Sequence, residues 1–116
     1  MDELDVNLMR GTLDLLILKA LSWGPRHGYA VAEWMQDATG SMLRIGEGTL
    51  YPALHRLERR GHVEADWGLS ENNRTAKFYR LSRTGRRRLQ TGSSYWHEFV
   101  EAAGRALRST AAVPAA

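Results

Sequence analysis

The chain has 116 residues, of which 43% are hydrophobic and 25% charged, and no cysteine, so it suits one folded domain and excludes disulfides, zinc–thiolate sites and thiol nucleophiles. Its longest aliphatic run, residues 15–18, is far too short to span a bilayer, and its first residues are acidic, unlike a secretory signal; we expect a soluble, cytoplasmic protein with no membrane partner. The net charge is +3, but residues 41–90 hold eleven basic and five acidic side chains, which fits either a polyanion-binding face or a solvated arginine-rich surface.

The first predicted element is a helix over residues 7–22, ended by Gly24 and Pro25. Its apolar face follows the i, i+4, i+7, i+8 spacing and consists of Met9, Leu13, Leu16, Ile17, Ala20 and Leu21. Leu8, Leu15 and Leu18 lie off this stripe, so the helix is apolar on more than one side. It is therefore either a central core helix or one that also packs against a second subunit.

Two further helices follow. The second is predicted over residues 27–38, and residues 42–45 form a short strand or an extended connector. The third helix starts close to Glu47 and ends at Gly61, which supplies a left-handed C-terminal cap. Pro52 falls about one turn into this helix, where its missing N–H costs little. The buried stripe of the third helix is Leu50, Ala53, Leu54 and Leu57.

The apolar period then changes to two, as in a strand. Val63, Ala65 and Trp67 alternate with polar residues and predict a half-buried strand. Residues 68–75 are a polar, turn-rich loop, and residues 76–81 return as the partner strand. The pair is a hairpin whose long loop has a basic tip.

Helical spacing returns after the hairpin, with Ser82 or Thr84 as the N-cap. Apolar residues then repeat about every 3.5 positions, which is typical of a helix lying along another helix. They are Leu89, Trp96 and Ala103, with Phe99, Val100 and Leu107 beside them.

Three helices, a hairpin and a long helix make a mainly α fold with a small β-hairpin, the layout of a winged helix-turn-helix with a C-terminal extension. We expect residues 7–82 to form a winged-helix DNA-binding domain and residues 83–108 a C-terminal dimerisation helix. Residues 109–116 are expected to be a flexible tail.

The outward face of the third helix suits the major groove of double-stranded DNA. With its leucines inward, a rotation of 100° per residue places Gly48, Pro52, His55 and Arg59 on the opposite side, flanked by Tyr51 and Arg56. Arginine and histidine there can reach base acceptors and phosphates. Singly, these residues could equally be a rim of the core, an exposed histidine and a solvated arginine stripe.

The hairpin loop adds Asn72, Asn73, Arg74 and Lys77. A wing of this kind lies along the DNA backbone or enters the minor groove, where basic side chains meet concentrated negative potential. The alternative is an ordinary flexible polar turn.

Four segments, in the same order along the chain, resemble those of PadR-like transcriptional regulators. They are GTLDLLILKAL at residues 11–21, HGY at 27–29, GEGTLYPALHRLERRG at 46–61 and NNRTAKFYRL at 72–81. The resemblance covers roughly residues 8 to 108. It implies a winged-helix repressor that dimerises through its first and last helices and binds a palindromic operator. The single C-terminal helix resembles the shorter branch of that family.

The resemblance also implies which residues bind DNA: the start and outer face of the third helix, and the wing. The predicted DNA-binding residues, with Arg59 from the outward face, are Thr49, Tyr51, Pro52, His55, Arg56, Arg59, Asn73, Arg74 and Lys77. Tyr29 is either a further phosphate contact or packs against the third helix. The predicted dimer interface is Leu8, Leu15, Leu89, Trp96, Phe99, Val100, Ala103 and Leu107.

Some members of this family bind planar aromatic compounds between subunits, and Trp96 matches the position of their aromatic residues. Trp96 either stacks on such an effector or simply fills the dimer interface.

The four histidines lack paired metal-ligand spacing, and no nucleophile is flanked by a base. We therefore expect no enzyme activity, metal or cofactor. The alternative to DNA binding is a winged helix used for protein–protein contact; the operator and the regulated genes are not encoded in the sequence.

Overall fold

The computed structural model describes the backbone of residues 6–112 and the side chains of residues 11–112. Helix α1 spans Val6–Ala20 and continues as one 3-10 turn, Leu21–Trp23. Strand β1, Arg26–His27, leads into helix α2, Gly28–Ala38, and helix α3 spans Glu47–Arg59. The three predicted helices are thus present with bounds close to those expected from the sequence.

The ends of α2 and α3 follow from local chemistry. His27 caps α2, because its Nδ1 accepts a hydrogen bond of 3.1 Å from the Ala30 N–H. Residues 42–45 are a connector rather than a strand. At the end of α3, Gly61 has a φ of 76°, and the His62 N–H donates to the Leu57 carbonyl at 2.9 Å. The left-handed cap predicted at Gly61 is confirmed.

The hairpin consists of β2, Val63–Leu69, and β3, Thr75–Leu81. The sheet order is β1-β3-β2 and both pairings are antiparallel. Val63 pairs with Leu81 at the base and Leu69 with Thr75 near the tip. The strands reach further than the sequence indicated, so the loop shortens to residues 70–74. β1 was not predicted.

The core lies between α1, α2, α3 and the base of the hairpin. Tyr79 is its largest fully buried side chain. The buried apolar residues are Leu13, Ile17, Leu18, Ala20, Leu21, Val31, Met35, Leu50, Ala53, Leu54, Leu57, Val63, Tyr79 and Leu81. The predicted inward stripe of α3 is therefore buried in full.

Helix α4 spans Arg83–Arg108 and is about 39 Å long at 1.5 Å per residue. Ser82 is its N-cap, since the Ser82 Oγ accepts from the Gly85 N–H at 3.0 Å. Thr84, the other predicted cap, instead donates to the Gly61 carbonyl at 2.7 Å. Ser82 donates to the same carbonyl at 2.6 Å, so the start of α4 is fastened to the end of α3.

Candidate nucleic-acid interface

The N-terminal end of α3 is open. Its N-cap, Gly46, provides no side-chain hydrogen bond, and a Cβ built on Gly46 or Gly48 would meet nothing within 4 Å. Free backbone N–H groups and the positive end of the helix dipole favour an anion at such an end. Thr49, half-buried in the first turn, is positioned beside them, while Glu47 brings one negative charge.

The outer face of α3 is exposed as the helical rotation predicts. Pro52, His55 and Arg59 are all exposed and line a shallow depression together with Glu58. Glu58 at its edge is held by Lys77, whose Nζ lies 3.3 Å from Glu58 Oε1. The face therefore presents the polar groups of His55 and Arg59, as an α-helix that enters a major groove would.

Tyr51 and Tyr29 lie between α3 and the start of α2. Gly28 makes their arrangement possible, because a Cβ there would come within 2.8 Å of the Tyr51 hydroxyl. Tyr51 therefore packs on the α2 backbone while its ring edge stays exposed. Tyr29 is largely exposed, and its ring stacks loosely on His27 at 6.4 Å.

The wing is a compact turn. The Asn73 N–H donates to the Ser70 carbonyl at 2.9 Å, and the Ser70 N–H donates to the Arg74 carbonyl at 2.8 Å. Asn73 has a φ of 60°, a conformation that asparagine tolerates better than most residues. This turn presents Asn73 and Arg74 to solvent. Lys77, in contrast, lies half-buried on β3 in its pair with Glu58.

A groove of about 800 Å³ lies between Tyr51 and His55 of α3, the start of α2 and the wing. The predicted site residues that line it are Tyr29, Tyr51, His55, Arg74 and Lys77. Trp67 also lines it and is 71% exposed, although the sequence placed it with Val63 and Ala65 on the inward face of a half-buried strand. Alternation predicted the face of β2 that carries Trp67, but not how far the core extends along that face.

Arg56 differs from the other predicted DNA-binding residues. It turns toward α1, where its Nη2 lies 2.6 Å from Asp14 Oδ1 and its Nε lies 3.4 Å from Oδ2. The two side chains are only 19% and 16% exposed. The structure thus places Arg56 between α1 and α3 instead of on the outward face.

His62 lies next to this ion pair, at the junction of α3 and α4. Its Nδ1 atom is buried without a hydrogen-bond partner within residues 11–112. Burial lowers the pKa of His62, the charges of Arg88 and Arg60 lower it further, and Asp14 opposes them. The imidazole is accordingly neutral at neutral pH.

The predicted dimer residues divide into two groups. Leu89 packs against the core of its own chain, and Leu15 faces Gly92, where a Cβ would lie 2.5 Å from a Leu15 methyl. Trp96 is half-buried, and its indole N–H donates to Thr12 Oγ1 at 3.1 Å. Leu8 lies outside the residues whose side chains are described. The second group, on the distal half of α4, is Phe99, Val100 and Leu107, which are exposed, and Ala103, which is half-buried.

Residues 11–112 contain no group of histidine and acidic side chains arranged to hold a metal ion. Among the helices that the structure describes, none is long and apolar enough to cross a membrane.

Comparisons with known proteins agree with this geometry. The transcriptional regulator PadR-like family matches residues 17–91. A protein from Lysinibacillus sphaericus is 30% identical over 95 residues, covering 82% of this chain and 87% of that protein. A solved transcriptional regulator from Clostridium thermocellum is 26% identical with a TM-score of 0.77, covering 85% of this chain and 96% of the other. A PadR family transcriptional regulator from Eggerthella lenta is 31% identical with a TM-score of 0.75, covering 90% and 89% respectively.

Proposed function

The chain belongs to the PadR-like family of winged-helix transcriptional regulators, and we propose that it acts as a homodimeric repressor that binds a palindromic operator. Membership makes it a DNA-binding regulator rather than an enzyme. Repression, the dimer, the operator symmetry and control by an aromatic effector are the finer parts of the proposal.

The observation that carries DNA binding is the shared groove. His55 of α3, Tyr29 of α2 and Arg74 of the wing line one concavity of about 800 Å³, although they are far apart in sequence. The outer face of α3 fits a major groove, and the wing then lies along the adjacent backbone. A protein–protein module would not need cationic and hydrogen-bonding groups converging in this way.

The dimer is supported by the unpaired distal part of α4. Leu89 and Trp96 pack within the chain, but Phe99 and Val100 are exposed and Leu107 is 86% exposed. These three residues continue the same spacing of about 3.5 residues, which is the pattern of a helix that packs along a second helix. A second copy of α4 would cover them, and a symmetric pair of chains would bind a symmetric operator.

The contacts of Trp96 limit how an aromatic effector could bind to it. Since its N–H is already bonded to Thr12, a planar aromatic ligand could use only the part of the ring that remains exposed. We propose that such a ligand stacks there, next to the dimer axis. Titration of a Trp96→Phe variant against the wild type, followed by tryptophan fluorescence, tests this: a ligand that quenches both equally binds elsewhere.

The DNA proposal is tested by fluorescence anisotropy with a duplex selected from a random library by the wild-type protein. Replacing His55 and Arg74 together by alanine should weaken binding, and removing one phosphate contact should lower the slope of log affinity against log salt by about 0.9. Arg105→Ala, on the exposed surface of α4, is the matched control. Unchanged affinity in the double variant, with its fold intact, would show that the assignment of His55 and Arg74 to the DNA interface is wrong.

The dimer is tested separately. Phe99→Asp with Leu107→Asp places two charges on the distal face of α4 without touching the core of the chain, so we expect a folded monomer in sedimentation velocity. Trp96 is left unchanged because it packs on α1. A dimer that persists in this variant places the interface elsewhere.

A further inference from the structure

We infer that Trp67 of the wing contacts the sugar–phosphate backbone of the DNA and contributes affinity that does not depend on salt. The inference rests on the proposed DNA-binding function and adds a residue that belongs neither to α3 nor to the basic loop. Trp67 lies on β2 directly opposite Lys77 of β3, and both line the groove shared with His55.

The hairpin explains why a tryptophan becomes exposed at this position. Val63, Ala65 and Trp67 share one face of β2, and their burial decreases along the strand from buried to half-buried to 71% exposed. Lys77, the register partner of Trp67, pairs with Glu58 of α3 at 3.3 Å. Trp67 itself is not covered by the core, and this part of the strand is a wall of the groove.

Trp67 also lacks the aromatic and cation–π contacts that another exposed tryptophan makes. Trp23 is 61% exposed, yet it packs on Trp34 at a ring distance of 5.5 Å and lies beneath the Lys19 ammonium at 4.9 Å. Within residues 11–112, no aromatic or cation–π pair includes Trp67. Its indole therefore presents both an apolar ring and an N–H donor to whatever enters the groove.

The neighbouring groups define the chemistry of that occupant. Arg74 and Lys77 line the wing side of the groove together with Glu71, Glu33 lines the α2 side, and His55 adds a hydrogen-bonding group. Lys77 is paired with Glu58, so exposed Arg74 at the wing tip is the cation available to an occupant. An occupant that suits both this cation and the indole is anionic, with apolar faces between its charges. The backbone of duplex DNA has this character, since deoxyribose rings alternate with phosphates.

Apolar contact and ionic contact differ in their response to salt. Counterion release makes the contribution of Arg74 fall steeply with salt, whereas packing of a neutral indole on a sugar releases no condensed counterion. Trp67→Ala should therefore lower affinity by about tenfold, equivalent to 1.4 kcal/mol, at every salt concentration. Arg74→Ala should lower the slope of log affinity against log salt concentration by about 0.9.

The experiment measures anisotropy with a library-selected duplex of about 30 base pairs, long enough for two half-sites one helical turn apart. Wild type, Trp67→Ala, Trp67→Phe, Arg74→Ala and the matched control Trp23→Ala are compared at four salt concentrations. We expect a parallel downward shift for Trp67→Ala, a smaller one for Trp67→Phe, and no shift for Trp23→Ala.

Three outcomes would overturn the inference. Trp67→Ala could bind within twofold of wild type, it could lose slope as well as affinity, or Trp23→Ala could weaken binding equally. If Arg74→Ala still loses slope in those cases, the proposed DNA-binding function stands and the role of Trp67 alone fails. If neither the Arg74 nor the Trp67 variant changes binding, the groove is not the DNA-binding site; if the wild-type protein enriches no duplex from the library, the proposed function fails. Circular dichroism checks that Trp67→Ala is folded, and the Trp67→Phe titration keeps the test valid if it is not.

Discussion

The Arg56–Asp14 ion pair distinguishes Arg56 from the neighbouring residues of α3 that we propose bind DNA. Arg56 presents Nη2 and Nε to the two carboxylate oxygens of Asp14, at 2.6 and 3.4 Å. Arg59, one turn further along the same helix, is exposed on the outward face. Replacing Arg56 by alanine should therefore reduce stability, whereas replacing Arg59 by alanine should reduce DNA affinity.

The size of the stability loss follows from burial. Exposed ion pairs contribute about 0.2–1 kcal/mol, and removing one partner of a fully buried pair costs about 3–5 kcal/mol. The Arg56 and Asp14 side chains are 19% and 16% exposed, so their burial lies between these two cases. We expect Arg56→Ala to lower the free energy of unfolding by about 2 kcal/mol. At an unfolding entropy of about 2.1 cal/mol/K per residue, this loss lowers Tm by roughly 8 °C.

Urea unfolding at a fixed protomer concentration measures the loss, and a double-mutant cycle with Asp14→Ala isolates the coupling between the two side chains. Arg59→Ala is the control and should unfold like wild type. In DNA titrations, Arg56→Ala should retain the wild-type salt slope and Arg59→Ala should not. An Arg56→Ala variant of wild-type stability and reduced salt slope would refute the assignment and restore Arg56 as a phosphate contact.

Three further predictions concern contacts between neighbouring elements of the fold. Gly85→Ala should lower the free energy of unfolding by about 3 kcal/mol or more in urea titration, because its Cβ would overlap the carbonyl oxygen of His62; wild-type stability would mean that α4 shifts at no cost. The pKa of His62 is lowered in the folded chain, so the unfolded chain binds the proton at a higher pH, and the free energy of unfolding should fall as pH drops below about 6.5. Urea titrations of His62→Gln should show a weaker dependence of this free energy on pH between 7.5 and 5.5. His97→Gln, at an exposed position, should not change the dependence. Gly28→Ala would displace Tyr51, because the added Cβ would lie 2.8 Å from the Tyr51 hydroxyl. DNA affinity should therefore fall by more than the loss of folded protein, measured by thermal unfolding, accounts for. Unchanged affinity in anisotropy would exclude Tyr51 from the interface.

The repeating elements of this fold could be predicted from sequence because each carries its own period. The leucine stripe of α3 and the alternation of β2 predicted which faces are buried, and the glycine at 61 predicted where α3 ends. β1 was missed because two residues, Arg26–His27, are too few to show a period. It forms through pairing with Tyr79 and Phe78, which lie about fifty residues away.

The site was predicted less completely, for the same reason. Rotation along α3 placed His55 and Arg59 outward correctly, since that depends on the helix alone. Arg56 lies at the border of the buried and outward faces, and its direction is decided by Asp14, 42 residues away. Trp67 was expected on the inward face of β2 because alternation shows which face is inward, but how far the core extends along that face depends on packing against other elements.

Helix α3 is tied to three neighbouring elements near its C-terminal end. Its C-terminal half is tied to α1 by Arg56–Asp14, to the wing by Glu58–Lys77, and to α4 by two hydroxyl hydrogen bonds to the Gly61 carbonyl. Its N-terminal end, at Gly46, has open space around it. Between its two ends the inward residues of α3 are buried in the core, so a shift of α4 relative to α1 would act on α3 through its C-terminal ties. The effector proposed at the α1–α4 contact would alter DNA affinity in this way only if it bound one arrangement of the two helices more tightly than the other.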